Sequence, residues 1–505
     1  MLSTLVWGPI AGALLIVLLG ATFDAQKLRR ISLGMAIATF GWSLFLLTKF
    51  DLNLASMQLG ESLAWLDPIG LTYQLGVDGL SFPLVLLNGL LLIVAIYISN
   101  DIQRPRIYFP FLLILGGGVN GAFLSQNLLL FFLFFEVELI PLYLLIAIWG
   151  GEKRGYAATK FLIYTAISGV LILASFFGMA FLGSGDTTPF TFNYQDLNLE
   201  AVSSNTKGIL LLLLLFGFGI KIPIVPLHTW LPDAHVEAST PVSTLLAGVL
   251  LKLGTYGLLR FGLGLLPEAW QAIAPFLAGW AVVSVIYGCL TAISQTDMKK
   301  MVAYSSVGHM GYILLALAAA TPLSLVGATF QMVSHGLISA LLFILVGIVY
   351  KKTGTRDIKS LNGLFNAERG LPVTGSLMIL AAMASAGTPG MIGFIAEFVI
   401  FRSSFAVFPV QTLLCMIGTG LTAVYFLIMI DRVFFGRLAI EKDKSQPPIN
   451  KFPFAKWQEK FPAIALALII VFFGLIPNFA TKMIESSAEA IAPNSSQPNQ
   501  IAFKP

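Results

Sequence analysis

"GIKIPIVPLHTWLPDAH", Gly219 to His235, decides how this chain is read. It continues "GILLLLLLFGFGIK", an apolar run that ends on a lysine, Lys221, and it carries Pro223, Pro226 and Pro232. A proline removes one helical hydrogen bond and clashes with the preceding turn. In a bilayer the freed backbone groups must meet protein or water. Discontinuous helices are accordingly the usual binding sites of transporters. A second broken run, "ASAGTPGMIGFIAEF", sets Pro389 among Gly387, Gly390 and Gly393, with Glu397 downstream. One break carries a lysine and the other a glutamate.

The rest of the chain has membrane composition. Its 505 residues are 57% hydrophobic and 11% charged, whereas soluble proteins carry roughly a quarter charged residues. That predicts a polytopic membrane protein and excludes a soluble one. The net charge of +5 is no nucleic-acid signal. Cys289 and Cys415 both stand in apolar runs. Two isolated cysteines are too few for an iron–sulfur cluster, which takes about four, and they lack zinc-ligand spacing. "GGGVNG", Gly116 to Gly121, fits a dinucleotide-binding pattern. It lies inside a hydrophobic run with no strand before it, so close helix packing through small residues is the expectation.

A spanning helix needs about 20 apolar residues. Fourteen such runs are expected, near 4–22, 31–48, 80–99, 107–124, 128–149, 161–183, 208–231, 242–263, 271–293, 301–320, 323–350, 372–400, 407–430 and 462–480. The expected fold is an all-α polytopic bundle with the seventh and twelfth helices broken. The breaks are five spans apart. An odd offset reverses helix direction, so the two halves are expected to be inverted five-helix repeats. The expected organisation is 1–106 for helices 1–3, 107–263 for the first repeat, 271–430 for the second, and 431–505 for a loop, helix 14 and a C-terminal tail. Positive charges set the orientation. With both termini outside, most Lys and Arg, among them Lys27, Arg29, Arg30, Lys153, Arg154, Lys299, Lys300, Lys351 and Lys352, fall in inside loops.

Removing the loop charges leaves Glu136, Glu138, Lys221, Lys252 and Glu397 within spans, with His309 and His335 as polar company. An ionised group at the bilayer centre costs about 2.5–3.5 kcal/mol on insertion scales. Five of them should face one another or water. Desolvation disfavours a charged lysine and a nearby carboxylate opposes it, so such groups suit a proton relay. Glu136 and Glu138 are two apart and point in different directions on a helix; composition does not choose between them. Each charge has a structural alternative as a simple ion-pair partner, and each histidine as a satisfied core residue. His228 and His235, at and beyond the end of the seventh run, are expected in loop or interface roles.

"FFEVELIPLYLLIAIWG", "GIKIPIVPLHTWLPDAHVEASTPVSTLLAGVLLKLGTYGLLRF", "QTDMKKMVAYSSVGHMGYI" and "FQMVSHGLISALLF" resemble the antiporter-like membrane subunits of the proton-pumping NADH:quinone oxidoreductases. Within that family the chain is similar to the photosynthetic branch of cyanobacteria and chloroplasts. Among its antiporter-like subunits the chain resembles the type that carries glutamate in the broken twelfth helix, as Glu397 does, rather than the type that carries lysine there and a long lateral helix after the fourteenth span. The resemblance covers nearly the whole chain. It implies proton translocation coupled to quinone reduction. It gives Glu136, not Glu138, as partner of Lys221, the central proton carrier. Lys252 is implied as a bridging lysine, His309 and His335 as linkers, and Glu397 as the terminal group. It implies no cofactor in this chain, with plastoquinone, iron–sulfur clusters and NAD(P)H or ferredoxin elsewhere in the complex. The implied partners are other membrane-arm subunits, sister antiporter-like subunits among them, in a thylakoid bilayer. The competing readings are a subunit of a multi-subunit sodium/proton antiporter and a structural scaffold.

Overall fold

The structure is a computed structural model that describes residues 1–20, 23–184, 190–368, 370–440 and 454–493. The end of the first expected run, at 21–22, parts of the connections expected at 184–207, 351–371 and 431–461, and the tail beyond 493 lie outside the described residues.

The helices are α1 Ser3–Leu19, α2 Ala25–Leu47, α3 Phe82–Ile98, α4 Pro105–Leu124, α5 Leu128–Trp149, α6 Arg154–Gly183, α7a Ser204–Lys221 and α7b Trp230–Glu237. They continue as α8 Thr240–Leu263, α9 Pro267–Ile293, α10 Met298–Ala319, α11 Pro322–Thr353, α12a Pro372–Ser385, α12b Ile392–Phe405, α13 Pro409–Phe434, α14 Trp457–Leu475 and α15 Asn478–Ile491. Among the described residues, eleven are long and apolar enough to cross a membrane, and three shorter apolar helices, α1, α3 and α12a, complete the fourteen expected runs. Helix starts follow capping chemistry. Asp24, Asn127, Ser203, Asp297 and Thr321 each accept a first-turn amide, as N-cap side chains do. Pro105, Pro267, Pro322, Pro372 and Pro409 occupy first positions, where no amide is needed.

Three elements differ from the expected runs. Residues 50–79, expected as a connection, hold an antiparallel hairpin, β1 Gln58–Leu66 with β2 Leu71–Val77. It turns at Asp67–Gly70, with Gly70 at φ 71°. The fourteenth run, expected at 462–480, begins at Trp457 and ends at Leu475; after Pro477 the chain starts the separate helix α15. The third difference is α8, which is not uniformly α-helical. Its segments Leu246–Leu250 and Leu258–Leu263 are π-helical and flank the α segment Leu251–Gly257 that holds Lys252.

Both expected breaks are present. α7a stops at Lys221 and the chain turns through 222–229 before α7b. Pro223 and Pro226 fall in that turn, while Pro232 sits in the first turn of α7b, which a proline tolerates. α12a and α12b are separated by 386–391, where Gly387 and Gly390 take φ of 66° and 88°.

α8, α10 and α11 are buried along nearly their whole length, and α2, α13 and α14 lie at the periphery. The centre closes through glycines. A Cβ on Gly336 of α11 would lie 2.6 Å from the Gly248 carbonyl of α8. The "GGGVNG" stretch lies within α4, and a Cβ on Gly117 would lie 2.6 Å from the Val6 carbonyl. Asn120 there donates to Leu5 O at 3.0 Å and Asn88 donates to Gly116 O at 2.8 Å. Helix packing, not dinucleotide binding, accounts for these glycines.

A methyl group at Gly336 meets the Gly248 carbonyl of the backbone as well as the Leu87 side chain, both at 2.6 Å. Gly336→Ala is expected to lose about 1–3 kcal/mol, the usual cost of overpacking. Gly279→Ala on α9, where a Cβ meets nothing within 4 Å, is the matched control. Thermal unfolding in detergent checks both; equal melting of the two variants would contradict the close α8–α11 contact.

Candidate functional site

Lys221 ends α7a in the interior and pairs directly with Glu138 of α5. Both are buried, Glu138 completely. The Lys221 ammonium also lies 4.8 Å from the centroid of Phe135 and 5.9 Å from that of Phe161, within cation–π range. α8 backs the lysine closely. A Cβ on Gly254 would sit 3.2 Å from Lys221 Cβ and 3.1 Å from the Ile222 amide.

The expected pairing of Lys221 with Glu136 is corrected by this geometry: Glu138 makes the contact. The reason lies in α5. Its helical ladder is interrupted at Glu138, between Leu128–Val137 and Leu139–Trp149. Pro141 has no amide to give to Val137. Glu138 then faces the interior, while Glu136 is half-buried and lies against Gly169 of α6, where a Cβ would be 2.3 Å from Oε1. Glu136 stays within electrostatic range of both Lys221 and Glu138.

A second polar row starts on α8. Lys252, fully buried, contacts the Ala247 carbonyl and lies 2.8 Å from His335 Nδ1 of α11. A lysine ammonium can only donate, so a charged Lys252 makes Nδ1 the acceptor and places one shared proton between the two groups. The rings of His335 and His309 are 5.5 Å apart. His309 Nε2 lies 3.7 Å from Glu397 Oε1. Glu397 Oε2 accepts from Thr419 at 2.9 Å, and the Thr419 hydroxyl lies 3.3 Å from that of Tyr312. Gly387 in the second break makes room: its Cβ would be 2.9 Å from Glu397 Oε2.

His309 is built for two protonation states. Nδ1 lies 2.8 Å from the Ser305 carbonyl, which can only accept, so Nδ1 carries a proton. Nε2 lies 3.1 Å from the Ser385 carbonyl and 3.4 Å from the Ser385 hydroxyl. The neutral ring accepts from the hydroxyl; the protonated ring donates to the carbonyl.

The expected residues thus fall into two groups. Glu136, Glu138 and Lys221 form one; Lys252, His335, His309 and Glu397 form the other. α8 touches both, through Gly254 and Lys252.

Further buried charges were not among the expected site residues. Arg260 pairs with Asp78, just ahead of α3, and its Nε lies 3.3 Å from the Tyr256 hydroxyl. Arg260 lies inside the expected run 242–263, so a count of charges within that run finds it. Lys299, assigned to a loop, is buried and donates to Ala238 O at the end of α7b. His228 lies in the first break, with its ring 5.0 Å from Tyr287. His235 is in α7b, stacked on Phe343 at 4.5 Å. His228 thus stands in the turn of the break and His235 in a helix, and both are buried.

The family described as "NADH:quinone oxidoreductase/Mrp antiporter, TM" matches residues 125–422. NAD(P)H-quinone oxidoreductase chain 4 1 of Synechococcus sp. (strain JA-3-3Ab) is 41% identical over 100% of this chain and 95% of its own length. NAD(P)H-quinone oxidoreductase chain 4 2 of Thermosynechococcus vestitus is 42% identical over 93% of this chain and 87% of its own. Among solved structures, a chain of respiratory complex I from Thermus thermophilus superposes with TM-score 0.85 at 26% identity, covering 97% of this chain and 99% of that one. A chain of the Mrp complex from Dietzia sp. DQ12-45-1b gives TM-score 0.87 at 20% identity over 98% of each. The second likeness is one of fold.

Breaking a buried ion pair by removing one partner costs about 3–5 kcal/mol. Glu138→Gln is therefore expected to destabilise the protein by that amount, and Glu136→Gln by less than about 1 kcal/mol. Thermal unfolding of the two variants checks this, and a larger loss from Glu136→Gln would restore the original pairing.

Proposed function

The chain belongs to the NADH:quinone oxidoreductase/Mrp antiporter family of membrane subunits, and on that premise we propose that it is the proton-translocating, chain 4 type membrane-arm subunit of a type-I NAD(P)H- or ferredoxin:plastoquinone oxidoreductase. The observation that carries this reading is the buried row Lys252–His335–His309–Glu397 beside the Glu138–Lys221 pair. A scaffold gains nothing from burying these groups, since each costs free energy in a membrane.

In this reading the proton on Lys252 passes to His335 Nδ1 across 2.8 Å. A bridging water carries it to His309, whose two protonation states both have partners. Glu397 accepts it beside the Thr419 and Tyr312 hydroxyls and releases it on the far side. Lys221 governs the first group. Its charge is balanced when Glu138 is close, and when that pair opens the uncompensated ammonium repels a proton on Lys252. Glu136 is the second carboxylate available to Lys221 as the pair moves. Energy arrives through such charge shifts from neighbouring membrane-arm subunits. Plastoquinone, iron–sulfur clusters and NAD(P)H or ferredoxin belong to other subunits of the complex. The cyanobacterial relatives fit a thylakoid membrane. The inverted-repeat organisation belongs to the same reading, with the two breaks as its equivalent points.

The fold is equally that of an Mrp complex chain. The 41% identity to quinone oxidoreductase subunits favours the oxidoreductase over a sodium/proton antiporter.

The test is a pH-gradient assay in inverted membranes, driven by quinone reduction, at matched abundance of assembled complex. Lys221→Ala is expected to abolish the gradient. A normal gradient in the assembled variant would reduce Lys221 to a structural partner. Sodium-dependent proton exchange without quinone reduction would favour the antiporter instead.

A further inference from the structure

We propose that Arg260, held by Asp78 at the end of a plug of phenylalanines, is a seal that keeps protons on Lys221 from leaving through the face that carries the β1–β2 hairpin. This rests on the relay reading above and gives that relay its insulation.

The plug is built by the four helices around the Lys221–Glu138 pair. Phe131 and Phe135 precede Glu138 on α5, and Phe218 precedes Lys221 on α7a. Phe176 follows Gly169, the α6 glycine against Glu136, and Phe261 follows Gly254, the α8 glycine that backs Lys221. α5 and α7a start at the hairpin face, while α6 and α8 end there. The Gln126 amide, just before α5, donates to Gln74 O of β2 at 2.9 Å. The Phe192 amide, between α6 and α7a, donates to Gly70 O at 3.2 Å. Arg260, near the end of α8, meets Asp78, which follows β2. All five rings therefore lie on the hairpin side of the pair.

The rings form a continuous stack. Phe135 has its centroid 4.8 Å from the Lys221 ammonium and lies 6.0 Å from Phe218. Phe131 lies 5.7 Å from Phe135 and 4.7 Å from Phe261, and Phe176 lies 5.1 Å from Phe261. None of the five is more than 1% exposed. Tyr194, in the connection from α6 to α7a, packs 5.7 Å from Phe261 on the hairpin side. Buried water needs polar partners, and apolar spaces stay dry. A dry constriction stops ion passage.

Arg260 directly precedes Phe261 and is buried. Asp78 Oδ1 accepts from the Leu80 and Ser81 amides at 3.1 and 3.0 Å, which leaves Oδ2 for the guanidinium. The guanidinium also lies 5.4 Å from the Tyr256 ring centroid, and the Tyr256 hydroxyl donates to Phe123 O at 3.2 Å. The cation is thus fixed to the start of α3 and to α4.

Residue type separates a barrier from a relay. α8 carries Lys252 at the relay and Arg260 toward the hairpin face. A buried lysine can gain and lose a proton; arginine keeps its own. Arg260 therefore cannot pass a proton on, and a fixed arginine charge repels hydronium, as in selective pores. A pair needed only to tie α3 to α8 could be aliphatic, because replacing a buried ion pair by hydrophobic residues is often neutral or stabilising. A relay that loads from the opposite face would be short-circuited by a wet path here.

The experiment uses assembled complex in sealed vesicles and compares wild type, Arg260→Gln, Phe261→Asn and Lys221→Ala. It reads the decay of an imposed pH gradient without substrate, the escape of a trapped anionic dye, and the gradient formed per quinone reduced. Arg260→Gln and Phe261→Asn are expected to speed the decay at least threefold with the dye retained, and to lose gradient while quinone reduction continues. Lys221→Ala is expected to stay tight and form no gradient. Arg260→Gln as tight as wild type overturns this inference and leaves the relay standing. So does escape of dye along with protons, which marks general disruption. Phe261→Asn tests the plug by the same readings whether or not Arg260→Gln assembles. Normal pumping in Lys221→Ala overturns the relay reading itself.

Discussion

An ammonium group cannot be left bare in hydrocarbon, and the pairing of Lys221 with Glu138 is the arrangement on which the first half of the molecule depends. Both helices that supply the pair are interrupted at the residue concerned, α7 after Lys221 and α5 at Glu138. The carbonyls freed by the α7 break do not go unmet. Trp230 Nε1 donates to Ile220 O at 2.8 Å, and the Ile224 amide donates to Gly219 O at 3.0 Å. Gly254 lets α8 close against the same turn. A buried charge, a broken helix and a glycine contact are therefore one local solution, because an unpaired backbone group in a membrane costs several kcal/mol.

The second half uses the same means with the opposite sign. Glu397 follows a break, Gly387 clears space for its carboxylate, and Thr419 donates to it. The halves meet where α8 and α11 touch through Gly248 and Gly336, and that close approach brings Lys252 within 2.8 Å of His335. α7b adds a second joint, since its final carbonyls are held by Lys299 and Arg356 from the other half.

The fourteen helices, both breaks and every residue of the polar row except its exact pairing were legible in the sequence. Charge is scarce in an apolar chain, so each charge inside a span marks a position. What was not legible depends on tertiary approach. Glu136 and Glu138 share one motif two residues apart, and the interruption of α5 at Glu138 decides which reaches Lys221. Asp78 stands in the connection before the third run and Arg260 inside the eighth, and their pairing depends on α3 and α8 packing side by side. The hairpin at 58–77 carried a readable turn, Asp67–Pro68–Ile69–Gly70, but its length suited an ordinary connection. The run at 462–480 straddled Pro477, which separates α14 from α15.

The π segments of α8 make the aim of Lys252 a matter of chain length. A π turn holds about one residue more than an α turn, and one residue of an α-helix is about 100° of rotation. Lys252 lies between two such turns, so the direction of its side chain relative to each end of α8 is set by how many residues flank it. Losing a single residue from Leu246–Leu250 would swing the lysine off His335 without changing any side chain of the row. The length of this helix is therefore as much a part of the site as the lysine it carries.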